Sequence, residues 1–156
     1  MRKALIGLFV LTMAMSCAKT VESGYIGPSD IKVENGVMTP ETLLALGRLS
    51  DPQLSPDGSK ILYGVSYTSI PDNRSCRNLF ICNTDGSGKT QLTRYASSVS
   101  NARWSKDGSK IYFIFKGQVW QAPFKGKSLG KMQKLSDIPA GVSGFSVSPD
   151  EANIIY

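Results

Sequence analysis

The sequence predicts an all-β fold, and three observations carry that expectation. A ten-residue phrase occurs three times: Leu54 to Tyr63 around Ser55-Pro56-Asp57-Gly58-Ser59-Lys60, Trp104 to Phe113 around Ser105-Lys106-Asp107-Gly108-Ser109-Lys110, and Val147 to Tyr156 around Ser148-Pro149-Asp150-Glu151-Ala152-Asn153. Each copy runs from a turn signal into an apolar segment of strand length, which is how a strand entered through a tight hairpin reads. The aspartates lie 50 and then 43 residues apart, a period that suits one four-stranded propeller blade of about 40–50 residues. The expected architecture is a partial β-propeller: about two four-stranded blades and the start of a third, preceded by a signal peptide and a short helix.

The elements follow in chain order. Arg2 and Lys3 form a basic start, Ala4 to Met15 an apolar run, and Ser16 a small residue before Cys17, the layout of an export signal. The run is shorter than the roughly 20 apolar residues a membrane helix needs. Ala14-Met15-Ser16-Cys17 resembles a bacterial lipobox, in which the cysteine is acylated and becomes the mature amino terminus. Residues 1–17 are therefore expected to be a lipoprotein signal peptide with Cys17 as the lipidation site. Plain secretory cleavage and a retained anchor are the alternatives. Residues 18–37, with Gly24, Gly27, Pro28, Asn35 and Gly36, read as a flexible tether, and residues 38–156 as the incomplete propeller, ending inside a blade.

A short helix opens that domain. Thr39 suits the N-cap, Pro40 the first helical position and Glu41 the positive end of the dipole, while Leu43, Leu44 and Leu46 offer an apolar face and Gly47 a stop. The first repeat then reads as strands near 51–55, 60–67, 79–84 and 90–94. Within the second of these, Ile61, Tyr63, Val65 and Tyr67 alternate with Lys60, Leu62, Gly64 and Ser66. The second repeat aligns as 102–105, 110–115, 119–122 and 133–136. From Asp57 to Leu79 is 22 residues, but from Asp107 to Val119 only 12, so ten extra residues near 68–77 are expected as a loop insertion. A third repeat opens with 144–148 and 153–156, where Glu151 stands in place of the expected glycine.

Composition excludes several functions. The net charge is +6, with lysines scattered among turns, so no nucleic-acid partner is expected. The chain contains no histidine, so it holds no Ser-His-Asp triad, and it has no Gly-x-Ser-x-Gly elbow. Gly86-Ser87-Gly88-Lys89-Thr90 imitates the end of a phosphate loop, but Asn83 occupies the position of the leading glycine and the segment joins two strands. Asp57, Asp85, Asp107 and Asp150 read as turn formers. Trp104, Trp120, Phe80, Phe113 and Phe115 read as packing residues. No catalytic, cofactor-binding or metal-binding residue is expected, and no cofactor. If Leu79 to Asn83 is a strand, Cys76 and Cys82 lie too far apart along it to bridge without a fold-back, so two separate, partly buried thiols are expected.

From Met38 onward the sequence resembles bacterial serine peptidases of the prolyl oligopeptidase family, in the dipeptidyl-peptidase and acylaminoacyl-peptidase branch. The resemblance rests on Met38-Thr39-Pro40-Glu41-Thr42-Leu43-Leu44, on Gly47-Arg48-Leu49-Ser50-Asp51-Pro52-Gln53-Leu54-Ser55-Pro56-Asp57-Gly58, on Leu79-Phe80 with Asp85-Gly86-Ser87-Gly88, and on Gly144-Phe145-Ser146-Val147-Ser148-Pro149-Asp150. It implies the amino-terminal propeller portion of an exported serine exopeptidase, with peptide substrates and a catalytic hydrolase domain in cis that these residues do not include. In that family the propeller limits entry and positions the substrate. A membrane-anchored or periplasmic location in a bacterial envelope follows from the signal segment. The alternative is a non-catalytic, Tol-like propeller acting as an interaction scaffold.

Overall fold

A computed structural model describes residues 21–33 and 35–156; the expected signal peptide and Cys17 lie outside the described residues. Among the described residues one helix, α1 (Pro40–Ala45), precedes strands β1 (Arg48–Leu54), β2 (Lys60–Ser69), β3 (Arg74–Asn83), β4 (Thr90–Gln91), β5 (Val99–Trp104), β6 (Lys110–Phe115), β7 (Gln118–Pro123), β8 (Gln133–Lys134), β9 (Ser146–Val147) and β10 (Ile154–Ile155). They form two antiparallel four-stranded sheets, β1-β2-β3-β4 and β5-β6-β7-β8, and a two-stranded β9-β10 pair. The fold is all-β, and both sheets are open.

The two large sheets pack face to face because β2, β3, β6 and β7 alternate side chains between their faces. Leu62, Leu79, Ile81 and Leu92 from the first sheet meet Val99, Ala102, Ile111, Phe113, Phe115 and Ala122 from the second in one buried cluster. Leu62, Leu79, Val99, Ile111, Phe113 and Val119 are fully buried, and each such large apolar side chain stabilises the fold by about 1.5–3 kcal/mol. Phe113 and Phe115 belong to this shared core and Trp104 and Trp120 pack against it, with Trp104 edge-on to Phe124 at 5.0 Å and Phe115 4.7 Å from Tyr95, whereas Phe80 stacks on Tyr63 on the other face of the first sheet. Ile61, Tyr63, Val65 and Tyr67 occupy the other face of the first sheet with Phe80 and Cys82, as the alternation predicts.

The recurring phrase has one geometry, used three times. Ser55 Oγ donates to the Asp57 carboxylate (2.6 Å) and accepts from Lys60 N (2.9 Å), while Gly58 N donates to the Ser55 carbonyl (2.9 Å). Ser105, Asp107, Gly108 and Lys110 repeat these contacts, and Ser148, Asp150, Glu151 and Asn153 do so again. Gly58 and Gly108 have φ of 71° and 72°, and Glu151 takes φ 57° at the same place, a left-handed conformation that costs a side-chain-bearing residue more than glycine. Its carboxylate offsets that cost. It accepts from Lys106 N (2.7 Å) and the Tyr112 hydroxyl (2.9 Å) and pairs with Lys110 (3.2 Å), fastening the third repeat to the second.

Three expectations need correction. The extra residues of the first repeat are not a loop: β2 and β3 pair without interruption from Lys60↔Asn83 to Ser69↔Arg74, so the insertion lengthens the hairpin. The outer strands β4 and β8 are only two residues long, because side chains take over the pairing beyond them. The leucine face of α1 is not buried: Leu43 and Leu46 are half exposed, whereas Thr42 is buried and its N–H is capped by Thr39 Oγ1 at 3.2 Å. Gly47 is required for space, since a Cβ there would lie 2.7 Å from the Tyr67 ring and 2.9 Å from Val65.

Candidate functional site

The two sheets converge at β1 and β5, which touch each other, whereas β4 and β8 stand apart. Each inner strand carries a bulge at the same place, between Ser50 and Gln53 in β1 and between Ser100 and Arg103 in β5. Asp51 (φ 51°) and Asn101 (φ 50°) are the left-handed residues of these bulges, and bulges re-aim side chains next to functional sites. Arg103 Nη1 spans the gap to both Asp51 carboxylate oxygens at 3.0 and 3.1 Å. From β3, Arg77 approaches the same carboxylate at 3.6 Å, passing over β2 where Gly64 leaves room: a Cβ there would lie 2.0 Å from Arg77 Nε. Two guanidinium groups share one carboxylate, so this inner edge keeps a positive charge. Arg77 Nε is buried without a hydrogen-bond partner. Such an edge favours carboxylate or carbonyl oxygens.

Behind it, a second repeated device holds the outer strands. Asn78, buried in β3, accepts from Thr93 Oγ1 (2.8 Å) and Tyr95 N (3.0 Å) and donates to the Tyr95 carbonyl (3.1 Å), while Thr93 Oγ1 accepts from Leu79 N (2.9 Å). In the second sheet Gln118 accepts from Ser136 Oγ (2.7 Å) and Ile138 N (2.9 Å) and donates to the Ile138 carbonyl (2.7 Å), and Ser136 Oγ accepts from Val119 N (2.9 Å). Reading by turns and apolar runs passes over this amide-hydroxyl pair. The signal for it was present, because aligning Leu79 with Val119 and Thr93 with Ser136 puts an amide one position earlier in both repeats.

The turn aspartates are electrostatically settled. Donation from the Ser55 hydroxyl, then from Ser59 N–H, holds the Asp57 carboxyl down at about 2, and Ser105 with Ser109 does the same for Asp107. Asp85 and Asp150 are also lowered, through Ser87 and Ser148. All four stay ionised at neutral pH and act as turn anchors. The Gly86 to Thr90 stretch is the turn between β3 and β4, with Ser87 N bonded to Asp85 at 2.8 Å. Cys76 and Cys82 are both free and buried, two separate thiols as expected, and they share one strand because the insertion extends β3 back to Arg74; burial pushes the Cys76 thiol up. Among the described residues no group of three His, Cys, Asp or Glu side chains is placed to hold a metal.

The chain is 32% identical over 131 residues to dipeptidyl-peptidase 5 of Porphyromonas endodontalis and 33% identical over 144 residues to dipeptidyl-peptidase 5 of Porphyromonas gingivalis, covering 83% and 92% of this sequence. Among solved structures, acylaminoacyl peptidase of Pyrococcus horikoshii superposes with a TM-score of 0.57 at 21% identity, over 72% of this chain and 17% of that one. No protein-family model matches the sequence. The chain belongs to the prolyl oligopeptidase family of peptidases. It corresponds to part of the amino-terminal region, and spans 19% and 21% of the two dipeptidyl-peptidases. In a prolyl oligopeptidase-family chain the segments that carried the resemblance now have structural roles. Residues 38–44 hold the capped helix, 47–58 the inner strand with its bulge and first phrase turn, and 144–150 the strand entering the third repeat.

Proposed function

We propose that this chain is the amino-terminal propeller portion of an exported serine exopeptidase, of dipeptidyl-peptidase or acylaminoacyl-peptidase type, acting on peptides. The single observation that carries this reading is the alignment of most of the chain with two dipeptidyl-peptidases at about one third identity. The two sheets are read as the first two blades and β9-β10 as the opening of a third, since both large sheets have four strands, meet at their first strands and repeat the same turn and outer-strand devices. In this reading a hydrolase domain in cis supplies the nucleophile. The propeller restricts entry to chain ends, and its positively charged inner edge at Arg77 and Arg103 lies along the path of the peptide. Export and acylation at Cys17 complete the proposal, placing the enzyme on a bacterial envelope membrane as a lipoprotein.

The test uses the full-length protein. Reaction with a fluorophosphonate probe and stepwise release of dipeptides or blocked residues from synthetic peptides are the expected results. A protein that neither reacts with the probe nor cleaves any such peptide, yet binds envelope proteins, would instead be a scaffold. Fractionation with mass spectrometry of the mature amino terminus checks the anchor; an unmodified Cys17 refutes it.

A further inference from the structure

Asp51 and Asn101 hold equivalent places in the first two repeats, each six residues before its phrase aspartate, but the second repeat has an amide where the first has a carboxylate. Arg103 therefore finds no counter-charge at that place on its own strand and reaches back to Asp51 of the neighbouring sheet. That carboxylate is fully engaged. Its Oδ1 accepts from Gln53 Nε2 (2.9 Å) and Arg103 Nη1 (3.1 Å), and its Oδ2 accepts from Arg103 Nη1 (3.0 Å) and faces Arg77 Nη2 at 3.6 Å. One negative charge thus meets two fixed positive ones, since arginine keeps its proton in proteins. Arg103 commits only one nitrogen to this contact. Nη1 takes Asp51 and the Ala102 carbonyl (2.7 Å), whereas the Nε–Nη2 edge meets, among the described residues, only Asn101 Oδ1, at 3.4 Å. The side chain is 39% exposed, so this edge is open to a ligand. Its two N–H groups form the planar fork that takes both oxygens of a carboxylate. The third repeat adds no competing side chain at the equivalent place, where Gly144 lies beside Asn101.

We infer that the Nε–Nη2 edge of Arg103 is a subsite for a carboxylate of the bound peptide, with Arg77 supplying the second positive charge and Asp51 fixing the guanidinium in place. The inference rests on the peptidase reading above and names the substrate class that the inner edge selects. These are peptides with a carboxylate beyond the cleaved bond, from an acidic side chain or from a free C-terminus. Four antiparallel strands in chain order enter and leave each large sheet at the same end, so a hydrolase domain in cis adjoins the end at which β1 begins. Asp51 is three residues past Arg48 in β1, about 10 Å from that end at about 3.3 Å per residue. Three extended residues of a substrate cover that distance.

Calorimetric titration of the full-length protein, treated with a fluorophosphonate so that bound peptides stay intact, tests this with four alanine hexapeptides. They are the free acid, its amide, the amide with glutamate as fifth residue, and the amide with glutamine there. The free acid is expected to bind about tenfold more tightly than its amide if the C-terminus occupies the fork, and the glutamate peptide about tenfold more tightly than the glutamine one if a side chain does. Arg103→Gln is expected to abolish whichever preference the native protein shows. Arg103→Lys, which keeps the charge without the fork, should restore only part of it. Equal affinities within both pairs, or a preference undiminished in Arg103→Gln and Arg103→Lys of unchanged circular dichroism, overturn the subsite. The peptidase reading then still stands if the untreated protein reacts with the probe and releases dipeptides. A protein inert to the probe that nevertheless selects the carboxylate through Arg103 keeps the subsite and overturns the peptidase reading.

Discussion

Replacing Asn78 with alanine is expected to cost about 2–4 kcal/mol, far more than its small volume suggests. Its carboxamide makes four hydrogen bonds, to Thr93 Oγ1, to both backbone groups of Tyr95 and to Cys76 Sγ. A buried donor or acceptor left without a partner costs about 1–3 kcal/mol. Thr93 is buried and receives no water in exchange, whereas Tyr95 is half-buried and recovers part of its loss, which places the sum inside that range. The comparison is Asn83→Ala, a half-buried amide whose partners are the surface groups Lys60 and Ser87, for which less than about 1 kcal/mol is expected. Urea unfolding followed by tryptophan fluorescence reads both, with midpoints compared at constant slope. The pair Asn78→Ala with Thr93→Ala should be non-additive by about 1 kcal/mol, since each change removes the same 2.8 Å bond. If Asn78→Ala costs no more than Asn83→Ala, or the two buried changes simply add, the amide-hydroxyl device does not hold the outer strand and the reasoning fails.

Gly64→Ala should cost about 1–3 kcal/mol by expelling Arg77 from its path to Asp51, and most of that cost should vanish in an Arg77→Ala background; an equal cost in both backgrounds refutes the steric account. Asp57 and Asp107 have carboxyls held at about 2 in the folded chain, below their unfolded value of about 3.9. Their stabilisation is therefore complete above about pH 4 and lost as pH falls through about 2; Asp57→Asn with Asp107→Asn should flatten the acid limb of the stability profile, and an unchanged limb counts against it. Cys76 and Cys82 should resist alkylation in the folded chain and both react in denaturant. An intact mass two hydrogens lower would reveal a disulfide and refute the free thiols.

The legibility of the sequence was uneven for physical reasons. The phrase turns could be read residue by residue, because Ser55, Asp57 and Gly58 meet within a few positions and their hydrogen bonds are local. The length of the first hairpin could not: Thr68 to Arg77 lacks an apolar alternation, since this part of the ladder projects past the core and its side chains are mostly at the surface. The docking of residues 22–26, expected to be a free tether, was hidden for a related reason. Glu22 N bonds to the Arg94 carbonyl and its carboxylate to Ala96 N and Lys116; all are far from it in the chain, and nothing near Glu22 signals that they await it.

By itself, then, the sequence determined the all-β class, the two four-stranded repeats with the opening of a third, the capped helix and the family, because each is written in short-range turn chemistry, period-two alternation or a contiguous motif. Only the tertiary structure decided what depends on side chains meeting across sheets. It brought Arg77 and Arg103 onto the single carboxylate of Asp51, paired Asn78 with Thr93 and Gln118 with Ser136, set Glu151 against Tyr112, and laid residues 22–26 across one end of the body. Those contacts join positions up to 74 residues apart, and their partners become neighbours only once the strands have twisted together and packed.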